Sequence, residues 1–407
     1  MKAVVLNMKK LFSIILASLF LLTIILGVTG YILLPQKVFS ENENRMLSDF
    51  PIHSTQKYLS GWFDKTLSFE LDGFFSDRIP MRDVLITLRS GCELGLSRGE
   101  VNGVITGRNG QLAQRLFDVY VSPTRRIRSS DIIYEDHIRA QLGVLKSISL
   151  ELFAEGIPVF FLPAPRVIDI AAESIGYPSS EIDRLDRIIC EESSANDVLL
   201  INPLEALRSA YSSGEYVYFR TDHHWTAAGA YISYCQVMQA FGMGEDILPR
   251  DSFSIREIDG FVGTIASRLG ITDKRLIASD TLEIWEGADD LEYEIKDKGG
   301  NMLLQGFIDE KYLSSKDKYG AFLGGVRGFV TVTKKGETQR PRLLIAKDSF
   351  ANSMVPFLSR HFDLVVINLS GGEYDISKYA REYDCDGVLI VYNRENMITA
   401  DHLLMVR

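Results

Sequence analysis

The sequence predicts an α/β fold in which a parallel sheet is flanked by helices and carries an antiparallel insertion. Two features favour this fold class, and a third predicts a transmembrane helix ahead of it. From residue 156 onward, short runs that are apolar on both faces, as buried parallel strands are, alternate with helix-like segments. The alternation lapses at about residues 247–340, where short segments divided by glycines and charged turns indicate antiparallel hairpins. Near the N-terminus, an uncharged apolar run is long enough to be a transmembrane helix.

The apolar run at residues 11–34 follows three lysines, Lys2, Lys9 and Lys10. About 20 apolar residues cross a bilayer, whereas the apolar part of a cleaved signal peptide is shorter, about 7–15 residues. We therefore predict a single-pass protein of the cell membrane, with residues 1–10 as a cytoplasmic tail and residues 11–34 as an uncleaved anchor. The lysines place the tail inside and the rest of the chain outside the cytoplasm. A cleaved signal peptide is the alternative, and it would export the body of the protein as well.

A membrane-proximal helical and linker region is predicted at residues 35–128. Between residues 58 and 96, apolar side chains recur at helical spacing, which predicts two helices broken at Pro80. Residues 102–111 predict a short strand followed by a tight turn.

Residues 129–407 are predicted to form the α/β domain, with the insertion at about residues 247–340. A helix is expected at residues 129–155, before the first strand. The strands are expected at residues 157–163, 197–202, 342–347, 364–369 and 387–392. The later helices are expected at residues 203–212, 226–241, 349–358 and 376–383.

Charge and cysteine content exclude some classes of protein. With 44 basic and 54 acidic residues, the chain has a formal net charge of −10 and no basic tail. Nucleic acid is therefore not an expected partner, because phosphate binding needs clustered Lys and Arg. The four cysteines are few and scattered, and no Cys-x-x-Cys pair indicates a zinc or redox site. The sequence predicts neither a cofactor nor a resident metal, and it leaves open whether two cysteines form a disulfide bond.

Ionisable side chains are concentrated at residues 221–226, Thr-Asp-His-His-Trp-Thr. In an extended segment alternate side chains share one face, so Asp222 and His224 can point the same way while His223 points opposite. A carboxylate fixes the tautomer of a neighbouring histidine and stabilises its charged form. The spacing therefore predicts an Asp–His dyad, which needs a third member with a proton to give up.

Ser349 is the candidate for that third member. It follows Lys347 and Asp348 where a predicted strand passes into a helix. Ligands of α/β proteins bind beyond the carboxyl ends of strands, and amides at a helix N-terminus can stabilise an oxyanion. A helix N-cap is the alternative role for Ser349, and Asp348 would cap the helix equally well. Together with Asp222 and His224, the position of Ser349 favours a nucleophile.

Other strand ends offer candidate oxyanion donors. Gly371 and Gly372 follow one predicted strand, and Asn393 follows the last. Glycine lets backbone amides approach a reacting oxygen, and an asparagine amide is a good donor, although both residue types are also ordinary in turns. Trp225 is expected to pack at the edge of the site, where it could also bind substrate by stacking on a sugar ring.

Two adjacent histidines behind an aspartate are also similar to the metal-dependent DHH phosphoesterases. Those sites need several more carboxylates and another histidine to hold two metal ions. No Asp-x-Asp pair stands at the end of a predicted strand, and the other histidines lack supporting carboxylate patterns. A metal site is therefore the less favoured hypothesis, and His223 is expected to have a structural role.

Several segments of the chain together resemble the DHHW family. They are Thr-Asp-His-His-Trp at residues 221–225, Lys-Asp-Ser-Phe at 347–350, Glu-Asn-Arg at 43–45, Asp-Arg-Ile-Pro-Met-Arg at 77–82 and Gly-Phe-Val-Gly-Thr at 260–264. That family is similar to the periplasmic acetylation proteins of alginate biosynthesis, and the resemblance covers nearly all of the exported chain. It implies an SGNH-hydrolase-like domain with circularly permuted connectivity, in which the Asp-x-His pair precedes the serine.

The resemblance implies that Asp222, His224 and Ser349 form a catalytic triad, with glycine amides at residues 371–372 and Asn393 as oxyanion donors. It implies O-acetyl transfer, or the related ester hydrolysis, on a cell-surface polysaccharide or cell-wall glycan. A multipass membrane acyltransferase would supply the acetyl group. The alternatives are a non-catalytic glycan-binding or assembly protein of an exopolysaccharide system and, less favoured, the metal-dependent phosphoesterase.

Overall fold

The computed structural model divides the chain into two compact units. The first comprises Met1–Gly95 with Gly270–Thr272, and the second comprises Leu96–Leu269 with Asp273–Arg407. The described residues are 2–33, 37–40, 45–51, 66–96, 99–114, 118–122, 125–128, 132–176, 179–271, 277–337, 339–372 and 374–407. The domain limits predicted from the sequence stay a prediction.

The first unit begins with a long apolar helix, α1 (Lys2–Leu33). Within it, the segment Lys10–Leu33 contains an 18-residue window with a mean hydropathy of 2.8. Among the described residues, this is the one helix long and apolar enough to cross a membrane, and a signal sequence has the same character. A short antiparallel hairpin follows, formed by β1 (Phe39–Ser40) and β2 (Arg45–Met46).

Two further helices in this unit lie on either side of Pro80. α2 (Thr66–Asp77) precedes the proline, and α3 (Arg82–Gly95) follows it. This confirms the predicted break, because proline has no N–H for a helix interior and restricts the residue before it. The predicted start of the first of these helices, at residues 58–65, lies outside the described residues.

The second unit contains one large sheet, smaller sheets and helices. Its strands are β3 (Glu100–Val101), β4 (Val104–Thr106), β5 (Leu112–Gln114), β6 (Asp118–Ser122), β7 (Arg125–Arg128), β8 (Val159–Ala164), β9 (Leu199–Leu200), β10 (Ser254–Phe261), β11 (Asp280–Glu286), β12 (Tyr293–Lys296), β13 (Met302–Gln305), β14 (Phe329–Lys334), β15 (Arg342–Lys347), β16 (Asp363–Asn368) and β17 (Gly387–Asn393). Its helices are α4 (Ile132–Phe153), α5 (Val167–Ile170), α6 (Ala172–Ile175), α7 (Ser179–Ala195), α8 (Leu204–Ser212), α9 (Ala227–Ala240), α10 (Thr264–Leu269), α11 (Glu310–Leu313), α12 (Val355–Leu358), α13 (Ile376–Glu382) and α14 (Arg394–Thr399).

The large sheet has eight strands in the order β13-β12-β14-β16-β15-β17-β8-β9. The five strands from β16 to β9 are parallel, and β14, β12 and β13 extend the sheet in antiparallel pairing. The predicted α/β fold class is therefore confirmed. The insertion does contain antiparallel strands, but three of them join the main sheet, while β10 and β11 form a separate hairpin.

The parallel strands are buried because helices cover both faces of the sheet. Every residue of β16 and β17 is buried. On one face, Leu142 and Leu145 of α4 belong to the same core cluster as Val388 and Ile390 of β17. On the other face, the ring of Phe160 in β8 lies 4.6 Å from that of Phe241, which ends α9.

Two predicted elements differ in detail from the structure. The strand expected at residues 197–202 is reduced to the two residues of β9, at the edge of the sheet, where only one neighbour can pair with it. The helix expected at residues 349–358 is divided into a 3₁₀ helix, Ser349–Ser353, and α12.

All four cysteines are unpaired, with Cys92 exposed and Cys385 buried.

Candidate active site

The two histidines lie on a tight loop that leads into α9. Tyr218 and Trp225 form an isolated antiparallel bridge, so the residues between them reverse direction and project from it. Thr226 then caps α9, because its hydroxyl accepts a hydrogen bond from the Gly229 amide at 3.3 Å.

A buried carboxylate that the sequence analysis did not identify holds this loop in place. Asp280, at the start of β11, is 1% exposed. It accepts hydrogen bonds from the backbone amides of Arg220 and Thr221 at 2.9 and 2.8 Å. The hydroxyls of Thr221 and Tyr216 also donate to it, each at 2.5 Å. No local sequence signal links Asp280 to a loop 60 residues earlier, since a lone aspartate before a strand is ordinary.

Asp222, His224 and Ser349 form one hydrogen-bonded chain. His224 Nδ1 lies 2.5 Å from Asp222 Oδ1, and His224 Nε2 lies 2.7 Å from Ser349 Oγ. Asp222 and His224 are 2% and 5% exposed, whereas Ser349 is half-buried. With Nδ1–H donating to the carboxylate, Nε2 is left as the acceptor for the serine proton. The serine oxygen is the member of the chain that a ligand can reach most easily.

The second oxygen of Asp222 is held by the start of α10. The Thr264 amide and hydroxyl donate to Asp222 Oδ2 at 2.7 and 2.9 Å. Burial by itself would raise the pKa of Asp222, but the neighbouring imidazoles of His223 and His224 and these hydrogen bonds bring it well below the usual range. Asp222 is therefore an anion that cannot rotate freely.

The close approach of α10 requires a glycine before it. A Cβ on Gly263 would lie 2.2 Å from the Cβ of Asp222, which is far inside contact distance. From the sequence, residues 260–264 were informative only as part of the family resemblance. The structure gives Gly263 and Thr264 the physical task of fixing Asp222.

The His224 imidazole lies between two rings. The Tyr319 ring stacks on it at 3.8 Å with an interplanar angle of 10°, and His223 lies 3.8 Å away on a tilt of 36°. The Tyr319 hydroxyl donates to the Ser349 carbonyl at 3.1 Å, and burial raises the pKa of that phenol, so it stays a donor. Tyr319 therefore fixes both the base and the turn that carries the serine.

His223 is turned away from Ser349. Its Nδ1 lies 2.6 Å from the Thr264 hydroxyl, and its side chain is 33% exposed. Burial and the neighbouring His224 lower the pKa of His223, which favours a neutral ring at neutral pH. The ligand atoms of Asp222, His223 and His224 lie within 4.8 Å of one another, a grouping that could hold a metal ion. A metal there would have to displace hydrogen bonds that Asp222 already accepts from His224 and Thr264.

Asp348 ties the serine turn to neighbouring strand ends. It accepts hydrogen bonds from the Phe350 amide at 3.0 Å, the Asn393 amide at 2.6 Å and the Asn396 side chain at 2.8 Å. Despite these donors, burial raises the pKa of Asp348. Asp348, and not Ser349, is thus the residue that caps the 3₁₀ helix. Ser349 is left with its hydroxyl directed at His224.

Two residues expected to contact substrate are engaged elsewhere. Trp225 is fully buried, and its indole N–H donates to the Phe350 carbonyl and the Ser353 hydroxyl, both at 3.0 Å. Trp225 thus packs in the interior with no exposed ring face, which does not favour the alternative role of stacking on a sugar. The Asn393 side-chain amide donates to the carbonyls of Ala164 and Pro165, which does not favour the predicted oxyanion role.

Gly371 and Gly372 lie in an exposed segment that follows β16. A Cβ on Gly371 would lie 2.9 Å from the Tyr374 hydroxyl and 3.7 Å from Gly328 Cα. The structure thus places Gly371 against these two residues. An oxyanion role for either glycine stays a prediction.

A small cavity lies beside His223 at the ends of β8 and β17. Its volume is about 10 Å³, room for about one water molecule. It is lined by Gln114, Arg166, Val167, Ile168, His223, Ile265, Asn393 and Glu395. Both apolar side chains and polar or charged ones therefore face this cavity.

Comparisons with known proteins identify a matching family model and solved structures of similar fold. The family model described as DHHW protein matches residues 167–368. A crystal structure of a DHHW family protein from Eubacterium siraeum has a TM-score of 0.58 at 18% identity, covering 75% of this chain and 96% of that one. Bacillus cereus PatB1 with a sulfonyl adduct has a TM-score of 0.57 at 17% identity, covering 75% of this chain and 100% of that one.

A weaker likeness is found to the O-acetyltransferase domain of Pseudomonas putida AlgJ, with a TM-score of 0.44 and 15% identity over 72% of this chain and 92% of that domain. No curated protein matches the sequence. The first two structures share the α/β fold described above, and the family match spans Asp222, His224 and Ser349. The part of the chain at residues 167–368, which carries these three side chains, therefore belongs to the DHHW family.

Proposed function

We propose that this protein is a membrane-anchored, extracytoplasmic enzyme that transfers acetyl groups to hydroxyls of a cell-surface polysaccharide or cell-wall glycan, or hydrolyses such esters. The observation that carries the proposal is the hydrogen-bonded chain from Asp222 through His224 to Ser349, with distances of 2.5 and 2.7 Å. The resemblance of the DHHW family to alginate acetylation proteins supports the substrate class.

In the proposed reaction, Ser349 Oγ attacks the carbonyl carbon of an acetyl ester while His224 Nε2 takes its proton. Asp222 stabilises the imidazolium that forms, without itself taking the proton. The Ser349 amide begins a 3₁₀ helix, where the first N–H groups have no partner within the helix, and it is the proposed oxyanion donor. His224 returns the proton to the leaving alcohol.

The acetyl-serine is then cleaved by a second hydroxyl. A sugar hydroxyl gives up its proton to His224, attacks the acetyl carbon and leaves as the acetylated glycan, with Ser349 reprotonated. Water in the same place gives acetate instead. Both acceptors use the same three residues, so the choice between transferase and esterase depends on which acceptor reaches the half-buried serine.

The apolar segment Lys10–Leu33 is proposed to anchor the enzyme in the membrane. A multipass membrane acyltransferase is the proposed acetyl source, and the anchor would keep Ser349 within its reach. Full-length protein should stay in the membrane fraction after a high-salt wash. Recovery as a soluble extracellular protein with a new N-terminus near residue 35 would show that the segment is a signal peptide.

Removal of triad members tests the serine mechanism. Ser349→Ala, His224→Ala and the double variant should lose activity to a similar degree, by a factor of about 10⁴ to 10⁶, because residues that act as one unit are not additive. The assay is acetyl release from an activated ester, with and without glycan acceptor. Ser254→Ala is the matched control, since that exposed serine only donates to the Glu286 carbonyl at 3.2 Å.

The same assay, run with a chelator, separates the serine mechanism from the metal-dependent alternative. The grouping of Asp222, His223 and His224 is the observation that favours a metal. A serine enzyme keeps its rate with chelator and is labelled at Ser349 by a sulfonyl fluoride. Activity that survives Ser349→Ala but is lost with chelator would show that a metal site, and not Ser349, catalyses the reaction. A wild-type protein that never reacts, even with its glycan, would favour the non-catalytic alternative.

A further inference from the structure

Helix α3 exposes a strip of apolar side chains, while the one side chain that it buries fully is polar, Ser90. Its solvent-facing side carries Met81, just before the helix, then Val84, Leu85, Leu88 and Cys92, with Leu96 just after it. Apart from the adjacent pair Val84 and Leu85, these positions are spaced three or four residues apart, so they form one continuous strip. Val84, Leu85 and Leu88 are 56%, 51% and 63% exposed. This strip is called the α3 apolar face.

The opposite side of α3 is mixed, with the apolar residues Ile86 and Leu94 half-buried beside polar ones. Ser90 is fully buried, and Asp83 and Thr87 are half-buried. Thr87 donates through its hydroxyl to the Gly270 carbonyl at 3.0 Å. A helix in water buries its apolar stripe and exposes its polar side. The α3 apolar face therefore needs an apolar partner.

The start of α3 is tied to the end of the anchor helix. Lys37, four residues beyond the apolar segment that ends at Leu33, pairs with Asp83 at 3.5 Å. Gly30 of α1 lines an open cavity of about 410 Å³ together with residues 77–84. Asp77 accepts a hydrogen bond from the Ser48 amide at 2.8 Å, which holds the segment after the anchor against the same place.

We propose that α3 lies in the plane of the bilayer surface, with its apolar face inserted among the lipid headgroups and upper acyl chains. The inference rests on the membrane anchoring proposed above. Because Lys37 must leave the bilayer close to Leu33, its partner Asp83 is held at the level of the headgroups, and the face begins there. A 14-residue helix extends about 21 Å along this surface.

The charges around α3 favour lipid as the occupant and apolar contact as the driving force. Arg89 is 70% exposed at the border of the face and pairs with Glu93 at 3.0 Å. Arg82 pairs with Asp77 at 3.6 Å. Basic side chains bordering an apolar strip are typical of interfacial helices, and their charges here are largely balanced by acids. Binding should therefore persist on uncharged phosphatidylcholine.

The test uses the full chain in phosphatidylcholine nanodiscs, with a fluorophore on the exposed Cys92. The half-buried Cys190 and Cys235 are changed to serine so that labelling is selective. The matched control is a label at Leu291→Cys, made together with Cys92→Ser, because Leu291 is a 70% exposed apolar residue of the second unit. Quenching is measured with a nitroxide-bearing lipid and with iodide in the buffer.

The lipid nitroxide should quench the label at Cys92 roughly threefold more than the control label, and iodide should do the reverse. Leu85→Glu with Leu88→Glu should bring the lipid quenching down to the control level. The melting temperature should not change, since both side chains are already exposed.

Strong iodide quenching and weak lipid quenching at Cys92 would overturn the proposal and leave a protein partner as the occupant of the face. A chain that does not copurify with the nanodisc would overturn the anchor and this inference together. A failed esterase assay with normal quenching would overturn only the catalytic proposal.

Discussion

Replacing Asp222 with asparagine tests whether the carboxylate sets the tautomer of His224. Asp222 Oδ1 faces two donors, His224 Nδ1 and the His224 amide, at 2.5 and 3.0 Å. Oδ2 faces two more, the Thr264 amide and hydroxyl. An asparagine has one oxygen and one NH₂ group, so either orientation sets the NH₂ against a backbone N–H that cannot accept a hydrogen bond.

The two orientations have different consequences for catalysis. With the NH₂ group toward His224, Nδ1 becomes the acceptor and Nε2 carries the proton, so it cannot take one from Ser349. With the NH₂ group toward Thr264, the tautomer survives but the imidazolium loses its countercharge. We therefore expect kcat to fall about 10³- to 10⁴-fold for Asp222→Asn. One buried N–H left without an acceptor should also lower the free energy of unfolding by about 1–3 kcal/mol.

Steady-state hydrolysis of an activated acetyl ester measures kcat, and thermal or urea unfolding measures stability. Thr264→Val is the matched control, because it keeps the Thr264 amide and removes the hydroxyl that donates to Asp222 and lies 2.6 Å from His223 Nδ1. Its kcat should fall no more than about 10-fold, as one of four donors is lost. If Asp222→Asn retained more than a tenth of wild-type kcat while remaining folded, the assignment of Asp222 as the residue that orients His224 would be refuted.

Three further predictions concern residues around the triad. Burial lowers the pKa of Lys347 to about 8 from 10.5, so between these pH values the unfolded chain binds more protons than the folded one. The free energy of unfolding of the wild type should then rise from pH 8 to 10.5 by up to about 3 kcal/mol more than that of Lys347→Met. Urea titration at several pH values measures both, and the same pH dependence in the two proteins would contradict this prediction. Gly263→Ala should lower stability by about 1–3 kcal/mol and reduce kcat, because its Cβ would overlap the triad aspartate, whereas Gly143→Ala, with no atom within 4 Å of its Cβ, should not. Trp225→Phe should lower the melting temperature and kcat, because it removes the N–H that donates to the Phe350 carbonyl. KM for the glycan should stay unchanged, and a large rise in KM would show that Trp225 contacts the substrate.

Local spacing was enough to predict the elements that carry the site. Strands β15, β16 and β17 are apolar on both faces. Because helices cover both faces of a parallel sheet, this pattern distinguishes its strands from half-exposed strands, in which apolar and polar residues alternate. The Asp-x-His spacing was also informative, because two side chains two residues apart on a bent segment can meet whatever the rest of the chain does. Pro80 ended a helix for reasons that are purely local.

Spacing did not identify the residues that hold the site in shape. Asp280 lies 59 residues from Thr221, and Thr264 lies 42 residues from Asp222, yet both contacts are direct hydrogen bonds. Tyr319, which stacks on His224, comes from the insertion. Each is a common residue type in an ordinary local context, so only the folded chain shows which partner it meets.

The sequence by itself determined the apolar N-terminal helix, the parallel strands and the local pairing of Asp222 with His224, because each depends on side chains close together along the chain. Tertiary structure decided that Ser349, 125 residues after His224, completes the chain of hydrogen bonds. It also decided that Trp225 is covered and that the α3 apolar face is exposed. The physical reason is that periodicity reveals which residues share a face, while burial of that face depends on what packs against it.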